Sequence, residues 1–416
     1  MKQAQTAPRA GGTMGQDVEN LGFTPFGRGG LMRSVELFSG CGGLALGLAR
    51  AGFRHLQMVE WNHDACATLA ANKARGIEHA REWNVNAGDA RRMRWADFEG
   101  VELVAGGPPC QPFSVGGKHR GNLDSRDMWP EAIRAVREMR PESFLFENVS
   151  GLARPAFGDY LQWIVESLRA PRDPLLVAGP GHHAVRRHVS RTDGERYNVV
   201  VARVNAADFG AAQQRHRVVV AGVRRDLREE IGEPIRTHFR ERLLWEQWVT
   251  GEYWRRHGIS RPAHGPSRES DRRLVARLVA SGVEPLGQPW RTVRDALAGL
   301  GEPTGKDGHT FQPGARAYPG HTGSPLDEPA KALKAGDHGV PGGENMMVRD
   351  DGSLRYFTVR EAARLQGFPD DWLFEGAWTE AMRQIGNAVP VQLSEVLGYW
   401  IRGVLVGASE SGAREA

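Results

Sequence analysis

One stretch constrains this chain more than any other. The apolar run Val101-Glu102-Leu103-Val104-Ala105 is followed at once by Gly106-Gly107-Pro108-Pro109-Cys110-Gln111-Pro112-Phe113-Ser114. The run reads as a buried strand. Two glycines permit a sharp exit from it, and two prolines fix φ and stiffen the turn. Cys110 is thereby set just past the carboxyl end of a strand, where open α/β sheets bind their ligands. A thiol held on such a loop is a candidate nucleophile. It is equally a buried cysteine in a proline-rich turn, and this stretch alone does not separate the two.

The neighbouring sequence repeats a strand, turn and helix unit. Residues 33–37 start a strand that runs into Phe38-Ser39-Gly40-Cys41-Gly42-Gly43, and a helix with Leu44, Leu46 and Leu48 follows until Gly52. A second strand, 56–60, ends in Glu60, and Asn62 is placed to cap the helix after it. Gly88-Asp89 falls after a short third strand, and 101–105 is the fourth. Residues 127–140 carry Ile133, Val136 and Met139 at helical spacing, and Pro141 ends that helix. Ser143-Phe144-Leu145-Phe146 is a further buried strand, terminating in Glu147-Asn148-Val149; strands at 197–204 and 218–223 complete the series. Repeated units of this kind predict an α/β fold with a Rossmann-like, doubly wound, mostly parallel sheet.

Outside this block the character changes. Residues 1–31 lack periodicity and read as a flexible N-terminal extension. Residues 226–354 are rich in Arg, Gly, Pro and Trp, with helical patterns only at 271–281 and 292–299, and read as a smaller irregular domain inserted into the first. The first domain spans 32–225 and resumes at 355–405, where Thr358 and Glu361 form a capping box. A last helix covers 391–405, and 406–416 reads as a frayed tail.

Composition bounds the possibilities. The 416 residues predict two or three domains, and the +4 formal charge is too small to establish a nucleic-acid partner by itself. Cys41, Cys66 and Cys110 show no C-x-x-C spacing, which points to a reducing, cytoplasmic setting without a disulfide framework or cysteine zinc site. His182, His183 and His188 lack companion ligands at zinc spacing, so no metal is expected. No apolar run has membrane-spanning length, and the amino terminus lacks a signal-peptide core.

Three constellations carry chemistry. The glycine turn at 40–43 lets a ligand approach the backbone, and the helix after it offers free N–H groups. Glu60, one unit later, can accept both hydroxyls of a ribose; Trp61 could stack on an adenine and Asp89 accept from its amino group. The turn departs from G-x-G-x-x-G, which lowers the case for a dinucleotide. Glu147, at the end of a buried strand beside the Cys110 loop, can donate a proton near neutral pH if partly withdrawn from water. Gln213, Arg215 and Arg217 share one face of an extended segment, where guanidiniums could hold a thiolate or grip phosphate. Each has a plainer reading: a surface acid, a strand-end carboxyl bonded to a loop, a solvated edge strand.

Taken in order, FSGCGG at 38–43, Glu60-Trp61, Asp89, GGPPCQPFS at 106–114, ENV at 147–149, QQRHR at 213–217, RYFTVREAARLQGFPD at 355–370 and QIGNAVP at 384–390 resemble the DNA (cytosine-5) methyltransferase family of bacteria and phages. The resemblance covers about 32–225 and 355–405, and differs where the family often has Pro and this chain has Ala212. It implies a class I methyltransferase fold, with S-adenosyl-L-methionine as methyl donor and S-adenosyl-L-homocysteine as product. Phe38, Gly40, Gly42, Gly43, Leu44, Glu60, Trp61, Asp89, Asn387 and Ala388 would surround that cofactor. Catalysis would fall to Cys110, adding to carbon 6 of a cytosine flipped out of double-stranded DNA, to Glu147 at the ring nitrogen, and to Arg215 and Arg217, with Arg215 orienting the base. Residues 226–354 would be the target-recognition domain. The lack of regulatory domains points to the modification half of a restriction system, with a cognate endonuclease as a possible functional partner acting on the same site. The enzyme is expected to work as a monomer with no stable protein partner. A transfer-RNA methyltransferase is the competing reading, disfavoured by the large insert. A DNA-binding protein without activity is a third, opposed by the presence of Cys110, Glu147 and Arg215 together.

Overall fold

The computed structural model describes residues 30–109, 127–173, 196–317, 322–335 and 345–412, with side chains as far as residue 407. Its centre is a seven-stranded sheet. The strands are β1 (Met32–Leu37), β2 (Phe53–Glu60), β3 (Val85–Ala87), β4 (Leu103–Gly106), β5 (Ser143–Val149), β6 (Tyr197–Asn205) and β7 (His216–Arg224). Their spatial order is β3-β2-β1-β4-β5-β7-β6, with every pair from β3 to β5 parallel. The expected mostly parallel, doubly wound sheet is present. Only β7 runs against its neighbours, antiparallel to both β5 and β6. A short return from β6 through Gly210, with φ of 88°, lets β7 insert between them, a reversal that βα periodicity cannot announce.

Helices cover both faces. On one, α3 (Trp129–Met139) and α4 (Gly158–Arg169) bury Trp129, Ile133, Val136, Trp163 and Ile164 against Phe144 and Phe146. On the other, α1 (Gly43–Arg50) and the long C-terminal helix, Val391–Gly412, pack Leu44, Leu48, Leu393, Leu397 and Ile401 over Leu103 and Leu145. At roughly 25 cal/mol per Å² of buried apolar surface, burial in these two layers favours folding. Asn62 caps α2 (His63–Ala74) as its position suggests, its side chain accepting from Ala65 N at 2.9 Å. The Thr358–Glu361 box closes in both directions on the helix Val359–Leu365. The C-terminal helix continues to Gly412, past the residue 405 at which the apolar pattern fades.

Residues 238–290 contain more helix than their composition suggests. Arg240–Leu244 runs into a π-turn at Trp245–Val249, and Glu252–His257 and Glu269–Ser281 follow. Leu243, Leu244, Trp245, Trp248, Tyr253, Trp254 and Leu278 form a core of their own. Gly251 and Gly258, both left-handed, bracket the middle helix and cut the apolar pattern too short to register as periodic. Further on, Val293, Ala330, Leu333 and Met347 join a core shared with Trp83, Phe357, Leu365 and Trp372. Among the described residues, no helix is long and apolar enough to cross a membrane.

Candidate active site

Register aligns the strand ends. Leu37 pairs with Val59 on one side and Gly106 on the other, and Gly106 pairs with Phe146. The residues that come next therefore stand in one row along the carboxyl edge of the sheet: Glu60 after β2's Val59, Phe38 after β1, Gly107 after β4, and Glu147 in β5. This is the edge on which open α/β sheets bind ligands.

The left half of the row is a tight glycine turn braced by an acid. Phe38 adopts φ of 58° and Gly40 φ of 52°, turning the chain sharply off β1. For Phe38 this is a strained conformation, the kind retained where surroundings impose it. Glu60 is buried; its Oε2 accepts from Gly40 N at 2.7 Å and its Oε1 from Trp61 N and Asn62 N at 2.9 and 2.8 Å. A Cβ at Gly40 would meet nothing within 4 Å, so the turn keeps an open outer face. Gly43 is needed for the opposite reason, because a Cβ there would lie 2.4 Å from Val389 O. That contact brings the 384–390 segment against the turn, with Ala388 buried and Asn387 exposed at the end of the helix Trp378–Asn387. Gly42 and Leu44 lie inward, Leu44 buried. Trp61 is 67% exposed beside Glu60. Asp89, just past β3, pairs with Arg91 at 2.7 Å, and that guanidinium holds its carboxyl below the usual range.

The right half holds the carboxylate. Cys110 lies outside the described residues, as does the loop through Arg120, but the turn that leads to it does not. Asn148 Nδ2 donates to Pro108 O at 2.9 Å, and Asn148 Oδ1 accepts from Val149 N at 2.8 Å. A side chain built on Gly107 would approach Glu147 Oε2 to 3.8 Å, so the carboxylate sits against the same turn. Arg217 reaches Glu147 from β7, Nε to Oε1 at 2.6 Å. The alignment is that of an ion pair, since Glu147 Oε1 is without a well-directed hydrogen bond among the described residues.

The guanidinium of Arg215, the residue expected to orient the base, is bonded to two backbone carbonyls, and it is Arg217 that meets the Glu147 carboxylate. The extended segment breaks at residue 215: Gln213–Gln214 pair with Ala330–Lys331, and His216 begins β7. Arg215 turns inward, is 2% exposed, and donates from Nη1 to Leu333 O at 2.8 Å and from Nη2 to Gly386 O at 2.6 Å. Burial, reinforced by neighbouring Arg217, pushes its pKa well down, against the pull of Glu147. Gln213 is buried beside it, donating to Leu365 O and to Gln366 Oε1, while Gln366 Nε2 donates to Ile385 O. These groups tie four distant segments together: 213–217, 330–335, the 384–390 turn and 365–366. Gly386 lets the second cross the third, as a Cβ there would lie 2.5 Å from Ala335 N.

Sequence reasoning missed Asn148 and Gln366 as position-setting residues. For Asn148 a signal existed, an amide directly after a strand-end acid; for Gln366, just past the end of a helical pattern, none did. His182, His183 and His188 lie outside the described residues, and among those described no three His, Cys, Asp or Glu side chains converge on a point.

Comparison with known proteins agrees with this geometry. The family model described as C-5 cytosine-specific DNA methylase matches residues 32–170, 177–251 and 302–402. The Type II methyltransferase M.PspPI of Psychrobacter sp. (strain TA137) is 32% identical over 372 residues, 88% of this chain and 77% of that protein. The Type II methyltransferase M.NgoMIV of Neisseria gonorrhoeae is 29% identical over 379 residues, 88% of this chain and 96% of that protein. Among solved structures, the S. pombe Dnmt2 methyltransferase superposes with a TM-score of 0.52 at 18% identity, covering 90% of this chain and 99% of that one, a likeness of fold.

Proposed function

The chain belongs to the C-5 cytosine-specific DNA methylase family and is a DNA (cytosine-5-)-methyltransferase, and from that premise we propose how its residues share the reaction. Carbon 5 of cytosine is a weak nucleophile, so a group must first add to carbon 6. Cys110 is that group, adding as thiolate while Glu147 protonates or hydrogen-bonds ring nitrogen N3. Arg217, in contact with Glu147, fixes its carboxylate and stabilises negative charge on the adduct. Adduct formation makes carbon 5 electron-rich; loss of its proton after methylation re-forms the ring double bond and expels Cys110. Arg215 acts as a positioning residue, holding the turn at 384–390 against the segment 330–335.

S-adenosyl-L-methionine, when bound, supplies the methyl group. The residues fit it: the open face of Gly40, the Glu60 carboxylate and the exposed Trp61 ring offer a glycine backbone, a hydroxyl acceptor and a stacking surface side by side. Phe38, Gly42, Gly43, Leu44, Asp89, Asn387 and Ala388 complete the cradle. Residues 226–354 are the target-recognition region, double-stranded DNA the substrate, and the enzyme acts in the cytoplasm as a monomer beside a restriction endonuclease of the same specificity.

The observation that carries this reading is the bond from Asn148 Nδ2 to Pro108 O. It joins the Glu147 strand to the Pro-Pro-Cys turn at adjacent strand ends. The test is incubation with labelled S-adenosyl-L-methionine and duplex DNA of mixed sequence, with transfer RNA in parallel, followed by bisulfite mapping. Methylation confined to one short DNA motif is expected. Label in the RNA alone, or in neither, would overturn the assignment.

A further inference from the structure

A cavity of about 680 Å³ opens beside the Glu147–Arg217 pair, between the ends of β6 and β7 and residues 236–241 and 290. Arg217 lines it, so it continues outward from the reaction centre. Its other walls are of two kinds. Phe239 and the half-buried Trp290 give flat apolar faces, and Trp290 is fixed by its Nε1–H donating to Asp208 Oδ1 at 2.9 Å. Arg203 and Arg236 give charge. Both are exposed, and among the described residues neither has a carboxylate partner within ion-pairing distance. Both are also held in place: Arg203 Nη2 donates to Ala153 O at 2.8 Å, and the Arg236 guanidinium lies 5.6 Å from the Phe239 ring centre.

Two acids share the cavity, and neither is within ion-pairing distance of Arg203 or Arg236. Asp208 accepts from Trp290; burial pushes its pKa up, and Trp290, Arg236 and His216 pull it down. Glu241 is exposed to water. Arg240, also on the wall, is already paired with Asp271. What remains is two guanidiniums beside two aromatic faces, on a wall shared with Arg217, which contacts Glu147.

We propose that this cavity seats one sugar-phosphate unit of the DNA strand carrying the target cytosine, with Arg203 and Arg236 on the phosphodiester and Trp290 and Phe239 against the sugar. A guanidinium matches phosphate geometry, and phosphate contacts fix the register of a protein on its duplex without reading sequence. The seat would hold the backbone next to the flipped nucleotide while the base is at Glu147. The assignment rests on the reading that duplex DNA is the substrate.

The experiment uses the full chain with Arg203→Gln, Arg236→Gln and the double variant. Arg54→Gln, at the opposite edge of the sheet, is the control. Binding of a fluorescein-labelled duplex is followed by anisotropy between about 50 and 200 mM KCl. Turnover at saturating DNA and affinity for S-adenosyl-L-methionine are measured alongside. Each cavity substitution should weaken DNA binding about three- to tenfold and reduce the slope of log affinity against log salt by about one. Turnover at saturating DNA, cofactor affinity and the methylated motif should stay as in the wild type. Wild-type slopes in the double variant would overturn the assignment, and so would a fall in turnover with the slope unchanged. A wild-type protein that binds duplex but never methylates it would refute the enzymatic reading instead, while the same slopes still decide the cavity.

Discussion

Arg217 Nε stands 2.6 Å from Glu147 Oε1 on the neighbouring strand, and both side chains are at most 14% exposed. The contact follows from register. Glu147 pairs with Val219 and Val149 with Arg217, so the arginine lies two residues along from the acid's partner, on the same face of an antiparallel pair. Shielded from water, the two charges interact more strongly than a surface pair would.

Arg217→Ala is therefore expected to lower kcat by about 10²–10³-fold, the range found when one preorganised donor is removed from a reacting centre. Arg217→Lys keeps the charge but not the fork of donors, and should recover only part of the loss. KM for S-adenosyl-L-methionine should not change. Full activity in the alanine variant, measured by methyl transfer to a substrate duplex, would remove Arg217 from the chemistry.

Arg215 should behave differently, although only one residue separates the two. Its guanidinium satisfies the carbonyls of Leu333 and Gly386 in a buried joint. Arg215→Met would leave both carbonyls unpaired and cost about 2–4 kcal/mol of stability. Urea unfolding should show that loss, and DNA and cofactor affinity should weaken together as the joint loosens. A variant as stable as the wild type but inactive would return Arg215 to the base-orienting role that its place in the motif suggests.

This contrast marks where sequence reading stops. The row of strand ends was legible because short apolar runs ending in Gly, Glu or Asn encode both the strand and its exit, as at Ala105-Gly106 and Phe146-Glu147. Helix caps at Asn62 and Thr358 were legible for the same local reason. What period two could not reveal was that residues 213–217 leave one small strand and enter another, so Arg215 and Arg217 part company. That break depends on Ala330–Lys331, over a hundred residues away. The antiparallel insertion of β7 and the tryptophan core at 243–254 depend likewise on long-range packing rather than on a local pattern.

Asn148 offers a sharper test of the reaction centre. Asn148→Ala removes the donor to Pro108 O and leaves a buried carbonyl unpaired, a cost of about 1–3 kcal/mol. Because Cys110 follows Pro108 by two residues, small misplacement of the turn should lower kcat by about 10²-fold. Asn148→Asp should not rescue, since a carboxylate cannot donate to the carbonyl. Unchanged kcat in Asn148→Ala, with the stability loss present, would confine the residue to a structural role.

Cys110→Ala should abolish turnover while duplex and cofactor binding persist, because without the thiolate nothing adds to carbon 6. Multiple turnover by this variant, followed by methyl incorporation, would sink the covalent mechanism.

Acid should loosen the fold through His55. The ring lies buried between β1, β2 and α1, with Nε2 donating to Ala45 O and Nδ1 accepting from Ser34 Oγ, both at 2.9 Å. Burial lowers its pKa from 6.5 to about 4, opposed by the Ala45 carbonyl and aided by His79. The unfolded chain thus takes up a proton before the folded one does as pH falls. Stability is complete above pH 6.5, declines between 6.5 and about 4, and declines no further on this account below that. At 1.36 kcal/mol per pH unit the loss reaches about 3 kcal/mol near pH 4. Buried His238, pushed to about 3, and the paired carboxylates act in the same direction, so wild-type unfolding alone does not isolate His55. The difference between wild type and His55→Gln does. Measured by urea unfolding, the wild type's advantage should shrink by about 3 kcal/mol from pH 7 to pH 4. A constant difference across that range would mean that water reaches the ring and that it takes up its proton in the folded enzyme as it does in the unfolded chain.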